Sequence, residues 1–366
     1  MNPGTTPQIQ FNVRAKILIV FLVLSMATLI IMGIAAVITI SDIGNSAQES
    51  STTLGTVAVR DSSAALWNGT EQYMIRIATD QADLVDQIFW STEAELTLLA
   101  DHARSVENSP AAGSGIRSYP VSVLPPDPMR ATVVYIAPGS QVRETDPEYL
   151  ALAGMDDMLA SMYRTDGDLV SVYVATESGI LRAYPWEGDL GPSYDPRTRS
   201  WFAAAKASDK VAWSEPYVDA SGHGLILTSS KSIPTRYGTW VVASDVTVSQ
   251  LSTYTNLTLG GKGYAVLLDD KGTVISRPGL GAGTGRWDQP FPAENALTAS
   301  DPGLAAVGSA MVAGRTGVGY VRFNGTQTIV AYAPVRSLNW SYAVSLPAKE
   351  VVAPIITTES TIVNAT

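Results

Sequence analysis

Apolar residues follow three regimes along the chain. Over 17–40 they are nearly continuous, 24 positions without a charged side chain, which is long enough to cross a bilayer with some tilt. Over 45–107 they become periodic. Leu66, Tyr73, Ile77, Leu84, Ile88, Leu96 and Leu99 recur at steps close to seven, four and three, with no proline between them, and that spacing predicts one stripe along a helix. Unbroken, the helix would reach roughly 95 Å at 1.5 Å per residue. Its stripe fits core packing or contact with a second copy of the chain, and a break near Gly69 would give two shorter helices instead.

Beyond residue 108 the pattern shortens. The runs N-S-P-A-A-G-S-G and V-L-P-P-D-P make 108–130 a linker, because glycine and proline end helices. A β-branched strand follows at 131–136, then a helix at 147–164 with Leu150, Met155, Met158, Leu159 and Met162 as its apolar members. Runs at 169–175 and 180–184 flank the turn E-S-G as a hairpin, and 212–219, 225–233 and 239–248 are three antiparallel strands. A short helix at 249–259 leaves this sheet. The pattern then restarts: two strands within 263–276 around D-D-K-G, a Gly/Pro-rich loop, a helix near 293–313, and strands at 319–323, 326–334 and 340–345. An α+β architecture is thus used twice. Residues from Pro347 onward begin another helix.

Charge and composition narrow the chemistry. The net charge of −10 argues against nucleic acid, which demands basic surface. With no cysteine and two histidines, His102 and His223, the chain has no disulfide, no thiolate metal site and little for zinc or a Ser-His relay. No cofactor is implied. Arg14 and Lys16 precede the apolar run and Asp42 is the first charge after it, so the positive-inside rule leaves 1–16 in the cytoplasm and the bulk of the chain outside. A cleaved signal peptide is the alternative, although its apolar core ordinarily runs about 7 to 15 residues.

The densest group of ligand-binding side chains is Y-D-P-R-T-R-S-W-F at 194–202. Pro196 cannot lie in a helix interior, and the residues from Trp201 onward are good helix formers, so a loop delivers these side chains onto a helix start. Arginine grips a carboxylate through two parallel N–H bonds, and an indole can add a donor. Arg197 reads as a structural or surface partner, Trp213, Trp240 and Trp340 as core anchors, and Asp269 with Asp270 as a turn pair.

One span, a long stalk helix, two PAS-like sheets in tandem and this motif resemble the double Cache (dCache) extracytoplasmic sensor domain of prokaryotic chemoreceptors, sensor kinases and related transducers, and within it the amino-acid-binding subset. That subset carries a Tyr, an Arg five on, a Trp seven on and a Tyr eight on, with an Asp about 45 residues after the Trp. Tyr194, Arg199 and Trp201 match, Asp245 stands 44 residues after Trp201, and Phe202 replaces the second Tyr. The resemblance implies that Tyr194, Arg199 and Trp201 hold a ligand carboxylate, that Asp245 holds an ammonium, and that Tyr217 and Phe202 complete the pocket.

It implies the following organisation: a cytoplasmic tail at 1–16, a transmembrane helix at 17–40, a stalk helix at 41–108, a membrane-distal ligand-binding module at 109–259, a membrane-proximal module at 260–347 and a returning helix at 348–366. The expected protein is a non-enzymatic sensor in the cell membrane, binding an amino acid or small carboxylate for transmembrane signalling and pairing as a homodimer through the stalk. A surface scaffold or adhesion protein with a degenerate pocket is the alternative, followed by an exterior hydrolase.

Overall fold

One helix, α1 (Val13–Asn108), carries both apolar regimes of the N-terminal third. The computed structural model describes residues 13–108, 115–188, 190–255, 263–280, 285–323 and 325–350. They divide into two compact units, with the division between Asn68 and Gly69. In the first unit every side chain over 17–40 is exposed, Phe21 at 75% and Met32 at 72%. A helix this apolar, with no protein around it, is long enough to cross a membrane.

In the second unit α1 becomes amphipathic. Met74, Ala78, Ala82, Val85, Phe89, Leu96, Leu99 and Ala103 are buried, whereas Tyr73 and Leu84 are exposed. The buried stripe therefore lies one position on from the expected one in its first half. Alanines at 78 and 82 draw it, and a pattern counted over large side chains passes them by.

The first sheet has the strand order β1-β2-β4-β3-β8-β7-β5, built from β1 (Arg117–Pro120), β2 (Ala131–Ile136), β3 (Leu169–Thr176), β4 (Ile180–Tyr184), β5 (Ala212–Trp213), β7 (Leu225–Thr235) and β8 (Gly238–Thr247). A short β6 (Tyr217–Val218) also pairs with β7. The expected strand 212–219 is thus two short pieces. The expected linker contains β1, which lies parallel to β2 with Arg117 opposite Ala131. A four-residue edge strand ending in proline leaves almost no sequence signal.

The single helix expected over 147–164 is α2 (Pro147–Leu152) and α3 (Asp156–Thr165), joined by a tight 3₁₀ turn at Ala153–Met155. Gly154 sits in that turn because a Cβ there would come within 2.9 Å of Val106 Cγ1 on α1. The helix α4 (Ser200–Lys206) covers one face of the sheet, and α5 (Val248–Thr255) leaves it.

The second sheet has the order β10-β9-β13-β12-β11, from β9 (Tyr264–Leu268), β10 (Val274–Ser276), β11 (Gly317–Phe323), β12 (Thr326–Val335) and β13 (Trp340–Pro347), with α6 (Pro302–Val312) against it. Both sheets reach α1 through aromatic contacts. Phe89 meets Trp213 edge-on at 4.6 Å and Trp340 at 5.0 Å between ring centroids, so one side chain of the helix touches both sheets. The Trp213 indole also donates to Glu93 Oε1 at 3.1 Å. Trp240 and Trp340 are buried, as expected of core anchors, while Trp213 is half-buried against α1, and Asp269 caps its turn by accepting from the Lys271 and Thr273 amides. Of the expected helices, 256–259 and the segment beyond Glu350 lie outside the described residues.

On the opposite face of the first sheet, Arg182 of β4 is buried with Asp156 of α3. Its Nε donates to Oδ1 at 2.5 Å, its Nη2 to Oδ2 at 2.8 Å and to Ser118 Oγ on β1 at 2.8 Å. Burial holds the Asp156 carboxyl above its ordinary range even beside this guanidinium, so the pair is costly to form and costlier to break. Arg182→Ala or Asp156→Ala should lower stability by about 3–5 kcal/mol, because each leaves a lone buried charge, whereas the double change to Met and Leu should be close to neutral. Thermal melts of the chain in detergent, followed by circular dichroism, check both outcomes; a double variant as unstable as the singles would refute the account.

Candidate functional site

Strand alternation sets the site. In β8 (T-W-V-V-A-S-D-V-T), Val241, Ala243 and Asp245 fall on one face, since side chains repeat every second residue. Asp245 lies opposite Ser171 of β3 on one side and Thr228 of β7 on the other. A carboxylate therefore stands in the middle of a sheet, next to a cluster of Val133, Tyr173, Leu181, Val241 and Ala243.

Local chemistry brings the opposing group. Asp195 accepts from the Arg197 amide at 2.9 Å and so starts the turn Pro196–Thr198. The Arg197 side chain returns to the same carboxylate through two bonds, at 2.8 and 2.7 Å, which confirms its structural place. The chain then passes through Arg199 in extended geometry into α4. Ser230 Oγ donates to the Trp201 carbonyl at 2.9 Å and fixes that helix to β7.

Between them lies a small cavity of about 30 Å³, open to solvent on one side, lined by Tyr194, Arg199, Trp201, Tyr217 and Asp245 together with Tyr173, Glu187 and Asp219. Five of the six expected residues are thus brought together. Phe202 is not on this wall: it is buried, packs edge-on against Trp201 at 5.7 Å, and borders a separate shallow depression with Arg197 and Lys206. One helical step, about 100°, separates it from Trp201.

Asp245 is 5% exposed. Its Oδ1 accepts from the Tyr173 hydroxyl at 2.9 Å and from Thr228 Oγ1 at 2.6 Å, and the Tyr217 hydroxyl shares Thr228 Oγ1 at 2.5 Å. Among the described residues no cation pairs with it. Burial, followed by the nearby charge of Asp219, pushes its carboxyl up to about 8. Burial likewise raises the Tyr173, Tyr194 and Tyr217 phenols.

Arg199 is the reverse case. Its Cζ lies 5.8 Å from the Tyr194 ring, 5.2 Å from Tyr217 and 5.5 Å from Trp287. No described carboxylate pairs with it; Nη1 donates to the Trp287 carbonyl at 3.0 Å. Arg199 and Asp245 are therefore each left without an oppositely charged partner among the described residues.

His223 is exposed but engaged. It meets Asp219 Oδ2 through Nδ1 at 2.9 Å and Glu187 Oε1 through Nε2 at 3.4 Å. The Asp219 contact first, with Glu187 adding to it, lifts the imidazole up to about 9.

Sequence reasoning missed Tyr173, Thr228, Asp219 and Trp287. Asp219 carried a faint signal, lying two residues after Tyr217. Tyr173 and Thr228 are ordinary strand residues until the register sets them beside Asp245. Trp287 is 88 residues from Arg199 in sequence.

A family model described as Cache domain matches residues 62–355. Among curated relatives, the methyl-accepting chemotaxis protein McpC of Bacillus subtilis is 31% identical over 137 residues, 37% of this chain and 21% of that protein. The methyl-accepting chemotaxis protein PctB of Pseudomonas aeruginosa is 34% identical over 110 residues, 29% of this chain and 17% of that protein. The chain therefore aligns with only about a fifth of the length of these relatives. Among solved structures, the ligand-binding domain of PctB in complex with L-Arg superposes with a TM-score of 0.51 at 18% identity, covering 78% of this chain and 98% of that one. The ligand-binding domain of the Pseudomonas fluorescens chemoreceptor CtaA in complex with L-serine gives 0.50 at 17%, covering 77% and 99%. These structures share the fold over the part of the chain they cover.

The titrations fix a pH dependence. Asp245 rises from 3.8 to about 8, so the stability tied to its neutral form is complete below its unfolded value and is lost as pH rises through 8. His223 rises from 6.5 to about 9, so its stability is complete below 6.5 and is lost through 9. The ligand-free chain should thus melt at progressively lower temperature between those limits. Asp245→Asn should raise the melting temperature at alkaline pH and change little at pH 4, and His223→Ala should lower it at pH 6 and change nothing above pH 10. Melting curves across that range that are flat in both variants would contradict these assignments.

Proposed function

The chain belongs to the Cache domain family, and on that footing we propose that it is a membrane-anchored extracytoplasmic sensor whose first sheet binds an amino acid or a closely related small carboxylate for signalling. The observation that carries this reading is the placing of Arg199 and Asp245 on one small open cavity, each without an opposite charge among the described residues. An α-amino acid supplies both missing charges from one small molecule. Its carboxylate meets the Arg199 guanidinium beside Tyr194 and Trp201, and its ammonium meets Asp245 beside Tyr217.

The electrostatics support that direction. A carboxyl held at about 8 is largely neutral in the empty cavity at neutral pH, and an ammonium beside it favours the ionised form. Binding then expels a proton from Asp245. The solved relatives add to the case, since PctB and CtaA hold L-Arg and L-serine respectively. Phe202 has no part in this arrangement; the hydroxyls that reach Asp245 come from Tyr173 and Thr228.

Residues 17–40 form the membrane anchor in this reading, with 1–16 in the cytoplasm, 41–108 as stalk, 109–259 as the distal module and 260–347 as the proximal one. The fully exposed apolar side chains of 17–40 support the anchor. Leu66, Tyr73, Leu84 and Leu98, exposed on α1 at steps of seven, eleven and fourteen, support pairing of two copies along that helix. Ligand contacts that differ between two states of such a pair would shift their populations.

Calorimetry of the chain in detergent against each of the twenty common L-amino acids tests the proposal. At least one should bind, with an affinity that rises with pH up to about 8 and a heat that depends on the ionisation enthalpy of the buffer. Arg199→Ala should weaken binding at least about a hundredfold, the loss of two charge-assisted hydrogen bonds worth ~1.5–3 kcal/mol each, and Asp245→Asn should abolish proton release. Silence from all twenty would sink the amino-acid reading.

A further inference from the structure

The first sheet's cavity is not held by the first sheet alone. Gly285 and Trp287 belong to the loop between β10 and α6, on the second sheet's side of the chain, yet they pack against the first sheet's side near Arg199. Gly285 approaches β6 so closely that a Cβ would come within 2.6 Å of Val218 Cγ2. Trp287, half-buried, lies 5.9 Å from the Tyr194 ring and 5.5 Å from the Arg199 guanidinium carbon, and its carbonyl accepts from Arg199 Nη1 at 3.0 Å. Trp287 does not itself line the cavity. It stands behind the arginine.

We propose that Trp287 is a positioning residue for Arg199, and that through it the second sheet holds the first sheet's cavity ready for a carboxylate. The inference rests on the amino-acid reading above. Arginine is a planar fork of five N–H donors on a long flexible stem. Trp287 takes one nitrogen with its carbonyl and covers one face with its ring. No described residue accepts from Nε or Nη2, and these two form the edge that suits a carboxylate. Fixing the stem before the ligand arrives removes an ordering cost that otherwise comes out of affinity. The same contact gives the second sheet a physical connection to occupancy: a carboxylate that draws the guanidinium inward pulls on the Trp287 carbonyl and so on the loop that begins at β10.

The test uses the whole chain in detergent and two measurements. In the first, each of the twenty common L-amino acids is titrated into wild type, Trp287→Ala, Trp287→Phe, Arg199→Ala and the double variant. Trp287→Ala should weaken every amino acid that wild type binds by about tenfold or more and leave their rank order unchanged, because the carboxylate is common to all. Trp287→Phe, which keeps an aromatic ring over the guanidinium, should bind within about threefold of wild type; the main-chain carbonyl stays in both variants. The double variant should bind no more weakly than Arg199→Ala. Affinity within twofold of wild type for Trp287→Ala, or effects that multiply in the double variant, would overturn the proposal.

The second measurement needs no ligand. The tryptophan emission lost on Trp287→Phe identifies the Trp287 contribution, and Arg199→Ala should shift that contribution to longer wavelength as the loop is released. An unchanged contribution overturns the positioning role even where amino acids bind. Absence of binding by wild type, with the emission shift present, refutes the amino-acid reading while leaving the Trp287 to Arg199 contact in place.

Discussion

A carboxylate in the middle of a sheet constrains everything around it. Asp245 lies on the interior strand β8, flanked by β3 and β7, and an ionised carboxylate there cannot be left to an apolar core. The fold answers with hydroxyls, from Tyr173 and Thr228, and with an open cavity above. Hydroxyl groups partly compensate the charge but do not neutralise it. The carboxyl is therefore held near 8, poised between a neutral form in the empty cavity and an ionised form beside a cation. Replacing it with an apolar residue would relieve the fold. Its presence on that face is a cost in stability, and under the proposed function that cost belongs to the ligand site.

Arg199 mirrors that arrangement from the other wall. Three aromatic rings surround it at 5.2 to 5.8 Å, and such rings favour a cation without neutralising it. Cation and carboxylate are kept apart by being mounted on different elements, one at the start of α4 and the other in β8. Had they met, they would have closed the cavity with an internal ion pair like that of Arg182 and Asp156 on the opposite face. The first sheet thus carries two solutions to buried charge: one satisfied within the protein and one left open.

The second sheet joins the same system at two places. Phe89 of α1 touches a tryptophan from each sheet, and the loop with Trp287 reaches the arginine of the first sheet's cavity. Dense aromatic packing of this kind transmits displacement because it is close-packed and has few ways to relax. The two sheets look like separate copies of one pattern in the sequence, but side chains lock them to a common helix and to each other.

The sequence by itself determined the order of elements, the apolar run, the reuse of one architecture and the cavity's two opposed charges, because each of these is written in local spacing: continuous, helical or alternating apolar residues, glycine and proline punctuation, and a motif with fixed intervals. Tyr194, Arg199 and Trp201 could be picked out that way, whereas Tyr217 and Asp245 follow only from the resemblance to the dCache sensors. The tertiary structure decided what local spacing does not encode. Strand register chose Tyr173 and Thr228 as the donors to Asp245, and one helical step turned Phe202 away from the cavity. Alanines as well as large apolar residues made up the buried face of α1, which lies one position on from the stripe of large residues in its first half. A tryptophan far along the chain came to rest behind Arg199. Each of these follows from long-range pairing, and a contact between residues distant in sequence leaves no periodicity in either segment from which it could be read.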